Sequence, residues 1–345
     1  MAIMNSWVVE NMDNGFDGLV YRDSPVPKVG ETEVLVKLHA ASLNYRDLII
    51  PKGMYPFPTQ LPIVPGSDGA GEVVEVGNKV MEFKKGDQVT TVFNQGHQYG
   101  SIDVPATQTG LGGVIDGSLR QYGVFQQTGL VKSAKNLSAV ENSTLPCAAV
   151  TSWNALYGLK PLKPGQVVVV QGTGGVSLFA LQFAKAAGAT VIATTSSAQK
   201  AEKLKKLGAD HIINYKEDPN WGETAKKLTP GGAGVDHIIE VGGSGTLAQS
   251  FKAIKFEGVI SVIGFLGGVD PTTQPSILDT LGHICTVRGV YVGSRAIMKD
   301  MILAIEANDI HPVVDEKVFS LDQTREAYDY MWDQKHFGKL AIKIH

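Results

Sequence analysis

Residues 167–177 read VVVVQGTGGVS, a run of four valines followed by a turn with three glycines among four residues. Valines without polar residues between them are typical of a strand that is buried on both faces of a parallel sheet. The next stretch, GVSLFALQFAKAAG, has the apolar spacing of a helix that ends at a glycine. A buried strand, a glycine turn and a helix in this order predict an α/β layer with a parallel sheet.

The alternation of strands and helices continues along the chain. Further strands are predicted at TVIATT, HIINY, VDHIIEV and GVISVIGF, with helices at SAQKAEKLKKLG and SGTLAQSFKAIKFEG between them. We therefore predict an α/β fold with a doubly wound parallel sheet over residues 133–308.

A different pattern precedes this layer. Short β-rich runs such as EVLVKLHAASL and GAGEVVEVG alternate with turns up to about residue 132, which predicts an antiparallel barrel or sandwich. The tail, residues 309–345, returns to a strand, helix, strand pattern and is expected to complete this first domain of residues 1–132. Residues 94–118 carry six glycines and little periodicity, so we expect a functional or mobile loop there.

Charge and hydropathy argue against several classes of partner. The 345 residues carry a formal net charge of -3, which provides no basic surface for nucleic acid or an anionic membrane. No run approaches the ~20 apolar residues that span a bilayer, and residues 1–15 lack a basic start followed by an apolar stretch. A cytoplasmic protein is expected. Two cysteines, Cys147 and Cys285, are too few for a disulfide framework.

The glycine turn has the features of a dinucleotide phosphate site. Glycines let the backbone approach a pyrophosphate, and the following helix offers free N–H groups and the positive end of its dipole. The residues expected to contact the phosphates are Gly172, Thr173, Gly174, Gly175 and Val176. A glycine turn with no ligand is the alternative, and the strand before it and the helix after it count against that alternative.

The end of the second strand indicates which dinucleotide is bound. An NAD site has an acidic residue about 20 residues after the first glycine, whereas here Ser196 and Ser197 follow the strand and Lys200 comes a turn later. Hydroxyl and ammonium groups suit a 2′-phosphate, so NADPH is the predicted cofactor. Lys200 could instead be a solvated charge on the exposed face of its helix. Tyr215, which ends the next strand, could cover the adenine or its phosphate.

Several motifs resemble those of one family. SLNYRDL, PGSDGAGEVVEVG, GTGGVSLFALQFAKAAGA, LGADHIINY and FGKLAIKI are similar to segments of the medium-chain dehydrogenase/reductases, and within them of the zinc-independent, NADPH-dependent quinone oxidoreductase branch. The resemblance covers nearly the whole chain. It implies a GroES-like antiparallel β-barrel domain, a Rossmann domain, an active site in the cleft between them, and a homodimer or homotetramer.

The resemblance also bears on a metal. Zinc-containing members of the family have a cysteine where this chain has Asn44, and a histidine and a glutamate where it has Ser67 and Asp68. The third ligand of those members is a cysteine, and it alone is matched in this chain, by Cys147. A catalytic zinc needs about three protein ligands of nitrogen, sulfur or oxygen type, so no metal is expected. Cys147 is instead expected to be a small buried residue near the nicotinamide.

The same resemblance places the segment NYRD against the nicotinamide, with Asn44 and Tyr45 as the expected hydrogen-bond donors to the acceptor. Alternatively, they are a capping amide and a buried aromatic. Arg46 and Asp47 are expected to hold the segment through local hydrogen bonds or an ion pair. We expect His97, in the glycine-rich loop, to be solvated and leave it outside the catalytic set.

Two further groups of residues complete the predicted site. The substrate pocket is expected to include Tyr55, Cys147 and Trp153. The remaining cofactor contacts are expected at Thr151, Val241, Gly242, Ile263, Gly264, Phe265 and Lys339. Thr151 and Lys339 follow from the resemblance, whereas the others end two strands at the edge of the sheet where ligands bind. Thr151 could instead bond to its own helix, and Lys339 could be a surface lysine.

The lack of a metal indicates the kind of reaction. Alcohol oxidation is disfavoured without a Lewis acid, whereas a quinone or an enone spreads the incoming charge itself. We therefore expect an NADPH-dependent oxidoreductase that transfers hydride to a quinone or an α,β-unsaturated carbonyl compound without zinc. Two alternatives stay open: an NADP-dependent alcohol or carbonyl oxidoreductase of the same family, and a non-catalytic NADPH-binding redox sensor.

Overall fold

The computed structural model describes residues 2–268 and 275–345. Internal contacts divide the chain into two compact units. The first unit consists of Met1–Val150 together with Gly293–His345, and the second unit consists of Thr151–Val292. Each unit has its own sheet and its own hydrophobic core.

The first unit is built mainly from antiparallel strands. Its strands are β1 (Ile3–Val9), β2 (Leu19–Pro25), β3 (Glu33–Leu43), β4 (Asp68–Val76), β5 (Gln88–Thr91), β6 (Tyr122–Gln126), β7 (Leu130–Lys132), β14 (Phe319–Ser320) and β15 (Leu340–Lys343). Its helices are α1 (Tyr45–Ile49), α2 (Val104–Thr107), α3 (Ala139–Asn142), α10 (Arg295–Ala307) and α11 (Thr324–Trp332). The strand order in the larger sheet is β14-β15-β3-β4-β5-β7, with β6 paired to β3, and β1 and β2 form a separate pair.

The C-terminal tail is part of the first unit. β15 pairs antiparallel with β3, with Leu340 opposite Leu43. The Trp7 indole N–H donates to the carbonyl oxygen of Leu321 at 2.6 Å. Phe319 packs in the same buried cluster as Trp7 and Leu340. Residues more than 300 positions from the start of the chain therefore complete the core of its first domain.

The first unit extends further along the chain than residues 1–132 and 309–345. α3 is tied to the sheet region because the backbone N–H of Ala134 donates to Asn142 Oδ1 at 2.8 Å. α10 is tied to it because Arg295 Nε donates to the carbonyl oxygen of Leu130 at 2.8 Å. We predicted that both helices belong to the α/β domain of residues 133–308. These two hydrogen bonds instead join them to residues of the first unit.

The second unit is a six-stranded parallel sheet with helices. Its strands are β8 (Val167–Gln171), β9 (Thr190–Thr195), β10 (His211–Asn214), β11 (Val235–Glu240), β12 (Ile254–Val262) and β13 (Thr286–Gly289), in the order β10-β9-β8-β11-β12-β13. Its helices are α4 (Val150–Tyr157), which begins at the last residue of the first unit, and α5 (Gly175–Ala186), α6 (Ala198–Lys206), α7 (Trp221–Lys227), α8 (Ser244–Ala253) and α9 (Leu278–Gly282).

The register of the second sheet brings three strand ends to one edge. β8 pairs with both β9 and β11, and β11 pairs with β12, all in parallel. The loops that follow Gln171, Glu240 and Val262 therefore leave the same edge of the sheet. The strand order reverses at β8, which is where ligands bind in sheets of this type. The predicted doubly wound α/β fold is confirmed.

Helices of the described residues are too short or too polar to cross a bilayer.

Candidate active site

The segment after β3 is fixed by its own side chains. The backbone N–H of Asn44 donates to Asp47 Oδ2 at 2.8 Å, which closes the first turn of α1. Asp47 is fully buried, and the Arg46 guanidinium lies 3.8 Å from its second carboxylate oxygen. This agrees with the holding role predicted for Arg46 and Asp47.

Arg46 also fastens α1 to the glycine-rich loop. Its Nη1 donates to the carbonyl oxygen of Leu111 at 2.7 Å. The guanidinium lies 4.7 Å from the centroid of Phe93 and 5.1 Å from that of Tyr55, both within range of a cation–π interaction. The predicted substrate residue Tyr55 is therefore positioned by Arg46.

The turn before β4 brings a serine and a carboxylate into the interior. Gly66 has a φ of 89°, a conformation that favours glycine. Ser67 and Asp68 follow it and are fully buried. Ser67 Oγ donates to Asp68 Oδ1 at 2.7 Å, and Ser42 Oγ lies 3.0 Å from Asp68 Oδ2. The carboxylate of Asp68 is thus held by two hydroxyl groups.

A buried lysine completes this cluster. Lys339 is 3% exposed, and its ammonium donates to the carbonyl oxygen of Leu43 at 2.9 Å, to Asn44 Oδ1 at 2.6 Å and to Asp68 Oδ2 at 3.2 Å. An ammonium has three N–H donors, so these three acceptors use all of them. We predicted that Lys339 contacts the cofactor, but the structure commits its ammonium to protein acceptors in the first unit.

The orientation of the Asn44 carboxamide follows from this lysine. Its Oδ1 accepts from Lys339, so its Nδ2 must point the other way, where one N–H donates to Ser67 Oγ at 3.3 Å. Among the described residues Nδ2 has no second acceptor. Asn44 is 9% exposed. The second N–H of this amide is available to a bound molecule.

Two predicted residues have aromatic neighbours inside their own units. The Tyr45 ring stacks on Trp332, with centroids 6.3 Å apart and planes 4° apart. In the second unit, the Trp153 ring lies 4.3 Å from Tyr157 and 5.2 Å from Phe183. Neither ring is part of the polar cluster around Asn44, and their roles in binding stay predictions.

One histidine of the glycine-rich loop is buried, although it was expected to be solvated. His97 is 6% exposed, and its carbonyl oxygen accepts the backbone N–H of Arg295 at 2.9 Å. Its Nε2 lies 3.0 Å from the carbonyl oxygen of Gly100. The expectation of a solvated His97 is therefore wrong, because α10 and the loop itself enclose it. Tyr99, by contrast, is 79% exposed.

The phosphate loop of the second unit leaves room for a ligand. Gly172 has a φ of 74°, and Gly174 precedes the first residue of α5. A Cβ placed on either glycine would meet no described atom within 4 Å, so the space above both is open. Ser152 Oγ donates to the carbonyl oxygen of Val176 at 2.7 Å and fastens the start of α5 to α4. Thr151 precedes this serine on α4 and is 3% exposed.

The predicted specificity residues lie at the next strand end. Ser197 is the N-cap of α6, where its Oγ accepts the backbone N–H of Lys200 at 3.3 Å. Ser196 precedes it directly. The backbone N–H of Tyr215 donates to the carbonyl oxygen of Thr195, and the Tyr215 side chain is 42% exposed. The four side chains that were predicted to surround the adenosine end therefore come from the turn between β9 and α6, from α6 itself and from the residue after β10.

A buried carboxylate joins two of the loops that follow strands. Glu240 accepts hydrogen bonds from the backbone N–H groups of Gly242 at 2.9 Å and Gly243 at 3.0 Å, and from Gln171 Nε2 at 2.7 Å. Thr246 and Ser250 each donate a hydroxyl to it at 2.5 Å. Gln171 directly precedes Gly172. This network fixes the loop after β11 relative to the phosphate loop.

The network was missed at the level of sequence. The available signal was a polar residue directly after the apolar run of a buried strand, namely Gln171 after four valines and Glu240 after two isoleucines. The predicted contact Val241 donates its backbone N–H to Gln171 Oε1 at 3.1 Å, and Ile263 donates its own to the carbonyl oxygen of Glu240 at 2.8 Å. Gly264 and Phe265 follow Ile263.

Two family models match the chain. The model of the alcohol dehydrogenase GroES-like domain matches residues 30–135, and the model of zinc-binding dehydrogenases matches residues 175–307. A zinc-type alcohol dehydrogenase-like protein of Schizosaccharomyces pombe is 52% identical over 343 residues, which cover 98% of this chain and 99% of the relative. The chain belongs to the medium-chain dehydrogenase/reductase family.

Other members of the family align over the full length. A solved structure from Sinorhizobium meliloti 1021, provisionally named an alcohol dehydrogenase, has 38% identity and a TM-score of 0.91, with 100% of both chains covered. A chloroplastic quinone oxidoreductase of Triphysaria versicolor is 28% identical over an alignment of 354 positions, which covers 99% of this chain and 98% of the relative. The chain is an oxidoreductase of this family, and its Rossmann unit binds a nicotinamide cofactor.

The donor set does not fit the zinc that some members of the family bind. Burial, together with a smaller effect of the nearby Asp68 carboxylate, raises the pKa of the Cys147 thiol to about 12. Zinc takes cysteine as the thiolate. Asn44 Oδ1 and Asp68 Oδ2 are hydrogen-bonded to the Lys339 ammonium. The described residues contain no cluster of three or more histidine, cysteine or acidic side chains placed to hold a metal.

Asp47 makes stability depend on pH. Burial, opposed by the Arg46 charge, raises the pKa of Asp47 from 3.8 to about 6. Between these values the folded chain binds more protons than the unfolded chain, so the free energy of unfolding falls as the pH rises. Asp47→Asn lacks this effect. Between roughly pH 4.5 and pH 7 the wild type is expected to lose about 2 kcal/mol relative to the variant. Urea unfolding of both proteins across this range measures it, and parallel curves would contradict it.

Proposed function

We propose that the chain is an NADPH-dependent reductase that transfers hydride to a quinone or an α,β-unsaturated carbonyl acceptor without a catalytic zinc. The observation that carries the proposal is the Asn44 carboxamide. It is held by Lys339 and Ser67 and has a second N–H available to an oxygen atom. Hydrogen-bond donors fixed in advance stabilise negative charge on an acceptor oxygen without reorganising during the reaction.

The donor chemistry at Asn44 suits an acceptor that needs modest stabilisation. When bound, NADPH supplies a hydride, which carries two electrons to the acceptor and leaves an enolate or phenolate oxygen to be protonated by water. Such a delocalised oxyanion is intrinsically more stable than an alkoxide, so a single amide N–H supplies enough stabilisation for it, whereas an alkoxide needs a Lewis acid. This favours quinones and enones over alcohols.

The preference for NADPH rests on the loop between β9 and α6. Ser196, Ser197 and Lys200 stand where an NAD site has an acidic residue. The N-terminus of α6 adds backbone N–H groups and the positive end of a helix dipole, which attract a 2′-phosphate.

Relatives give support to more than one acceptor class. One is named a quinone oxidoreductase and another a zinc-type alcohol dehydrogenase-like protein. An NADP-dependent alcohol or carbonyl oxidoreductase is therefore the second candidate, and a non-catalytic NADPH-binding redox sensor is the third.

A panel of acceptors separates these candidates. NADPH oxidation is followed at fixed enzyme concentration with quinones, enones, aldehydes and ketones, in protein purified without added zinc. We expect kcat/KM to be higher for quinones or enones than for saturated aldehydes and ketones. Selective turnover of the saturated carbonyls would favour the second candidate. Tight NADPH binding without turnover of any acceptor would favour the third.

Asn44→Ala should lower the rate of the chemical step. Loss of one donor to a developing oxyanion commonly costs about 100-fold in kcat, and we expect a loss of that order with a dissociation constant for NADPH within about twofold of wild type. The variant also leaves one N–H of the buried Lys339 ammonium without its acceptor, so the free energy of unfolding should be measured in parallel, with a loss of about 1 to 3 kcal/mol expected. An unchanged kcat in a folded variant would remove Asn44 from the catalytic set.

Lys200→Ala should weaken NADPH binding selectively. A charge-assisted hydrogen bond contributes about 1.5 to 3 kcal/mol, so we expect the dissociation constant for NADPH to rise about 10- to 100-fold. NADH lacks the phosphate, and its affinity should stay unchanged. Lys206→Ala, at an exposed position of the same helix, is the control. Equal affinities of the wild type for NADPH and NADH would overturn the cofactor assignment.

The predicted cytoplasmic location and the homodimer or homotetramer stay predictions. An assembly through the second unit is supported by three exposed apolar side chains on or beside α9. Ile277, Leu278 and Leu281 are 80%, 69% and 74% exposed. They lie close in sequence to β13, the edge strand of the parallel sheet, and an unpaired edge can accept a second copy of the chain.

A further inference from the structure

Lys339 is buried at a cost that its hydrogen bonds must offset. Burying an ammonium is unfavourable unless it is paired and its donors are satisfied. Lys339 is 3% exposed and meets both conditions, because Asp68 supplies the opposite charge and three acceptors take its three N–H groups. The lysine is therefore held as a cation at a fixed point.

The backbone defines where that point lies. The N–H of Lys339 donates to the carbonyl oxygen of Val313 at 2.9 Å, and its own carbonyl oxygen accepts from the N–H of Asp315 at 2.8 Å. Gly338, directly before it, has a φ of 80°, and a Cβ there would collide with the Val313 carbonyl oxygen. These contacts fix the backbone position from which the Lys339 side chain extends.

The contact between the Lys339 ammonium and Asn44 polarises the amide group of Asn44. At 2.6 Å from Nζ to Oδ1, it is a charge-assisted hydrogen bond. A cation on the carbonyl oxygen of an amide withdraws electron density from its nitrogen, so the N–H groups of Nδ2 become stronger donors. The same cation offsets the charge of Asp68, which would otherwise oppose an oxyanion near Asn44.

We propose that Lys339 is a positioning residue that turns the Asn44 carboxamide into an oxyanion-binding donor, by fixing its orientation and polarising its N–H through a permanent internal positive charge. The proposal rests on the proposed function only in naming the oxyanion as that of a reduced quinone or enone. Lys339 does not touch the acceptor; it acts through Asn44.

The test uses Lys339→Met and two further variants for comparison. Lys343→Met is the matched control, because Lys343 is an exposed lysine of β15. The double variant Lys339→Met/Asp68→Asn removes both buried charges, so it leaves no unpaired carboxylate and keeps the interior neutral if the single variant is poorly folded. Unfolding curves establish which variants are folded.

Binding of p-nitrophenol reports on the oxyanion site without turnover. Its absorbance separates phenol from phenolate, so a titration of the NADP⁺ complex gives the apparent pKa of the bound probe. We expect the wild type and Lys343→Met to lower that pKa below its value in solution. Lys339→Met and the double variant should lose this shift, and kcat for the best acceptor should fall about 10- to 100-fold in both.

The outcomes separate the two proposals. Recovery of kcat and of phenolate binding in the double variant would mean that Lys339 merely neutralises Asp68, and the positioning role would be overturned. The same conclusion follows if folded Lys339→Met keeps both properties. If no quinone or enone is reduced but phenolate binding still depends on Lys339, the proposed function fails and the positioning role stands.

Discussion

A buried ammonium beside a buried carboxylate is stable only when both groups are fully hydrogen-bonded, and Lys339 and Asp68 meet this condition in the first unit. Lys339 directly precedes β15, Asp68 is the first residue of β4, and Asn44, which accepts from Lys339, is the N-cap of α1. The ion pair and this hydrogen bond therefore join three segments that are distant in sequence, and the orientation of the Asn44 amide depends on the lysine that they share.

The second unit also buries a carboxylate, and the groups that donate hydrogen bonds to it are uncharged. Glu240 is fully buried and accepts five hydrogen bonds from uncharged groups, among them two backbone N–H groups of its own loop. Gln171 links this carboxylate to the phosphate loop. Both units thus use a buried carboxylate to fix the segments around it. In the first unit the carboxylate of Asp68 accepts from the Lys339 ammonium. In the second unit the carboxylate of Glu240 accepts from two backbone N–H groups and from three uncharged side chains.

The fold was accessible from sequence because it depends on local patterns. Four valines, a glycine turn and a helix identify β8 and α5, and the alternation of strand and helix continues along the chain. The polar clusters depend instead on pairs such as Lys339 and Asp68, which are 271 residues apart. A single sequence carries no signal for such a pair, and the contact of Lys339 with Asp68 and Asn44 was therefore not predicted. His97 was misjudged for the same reason, since the residues that bury it include α10.

We propose that an internal ammonium, and not a zinc ion, supplies the positive charge at Asn44. Elemental analysis of protein purified without added zinc, combined with assays before and after treatment with a strong chelator, tests it most directly. We predict well below one zinc per chain and an unchanged rate of NADPH-dependent reduction. One tightly bound zinc per chain, with activity lost on its removal and restored on its return, would contradict the account.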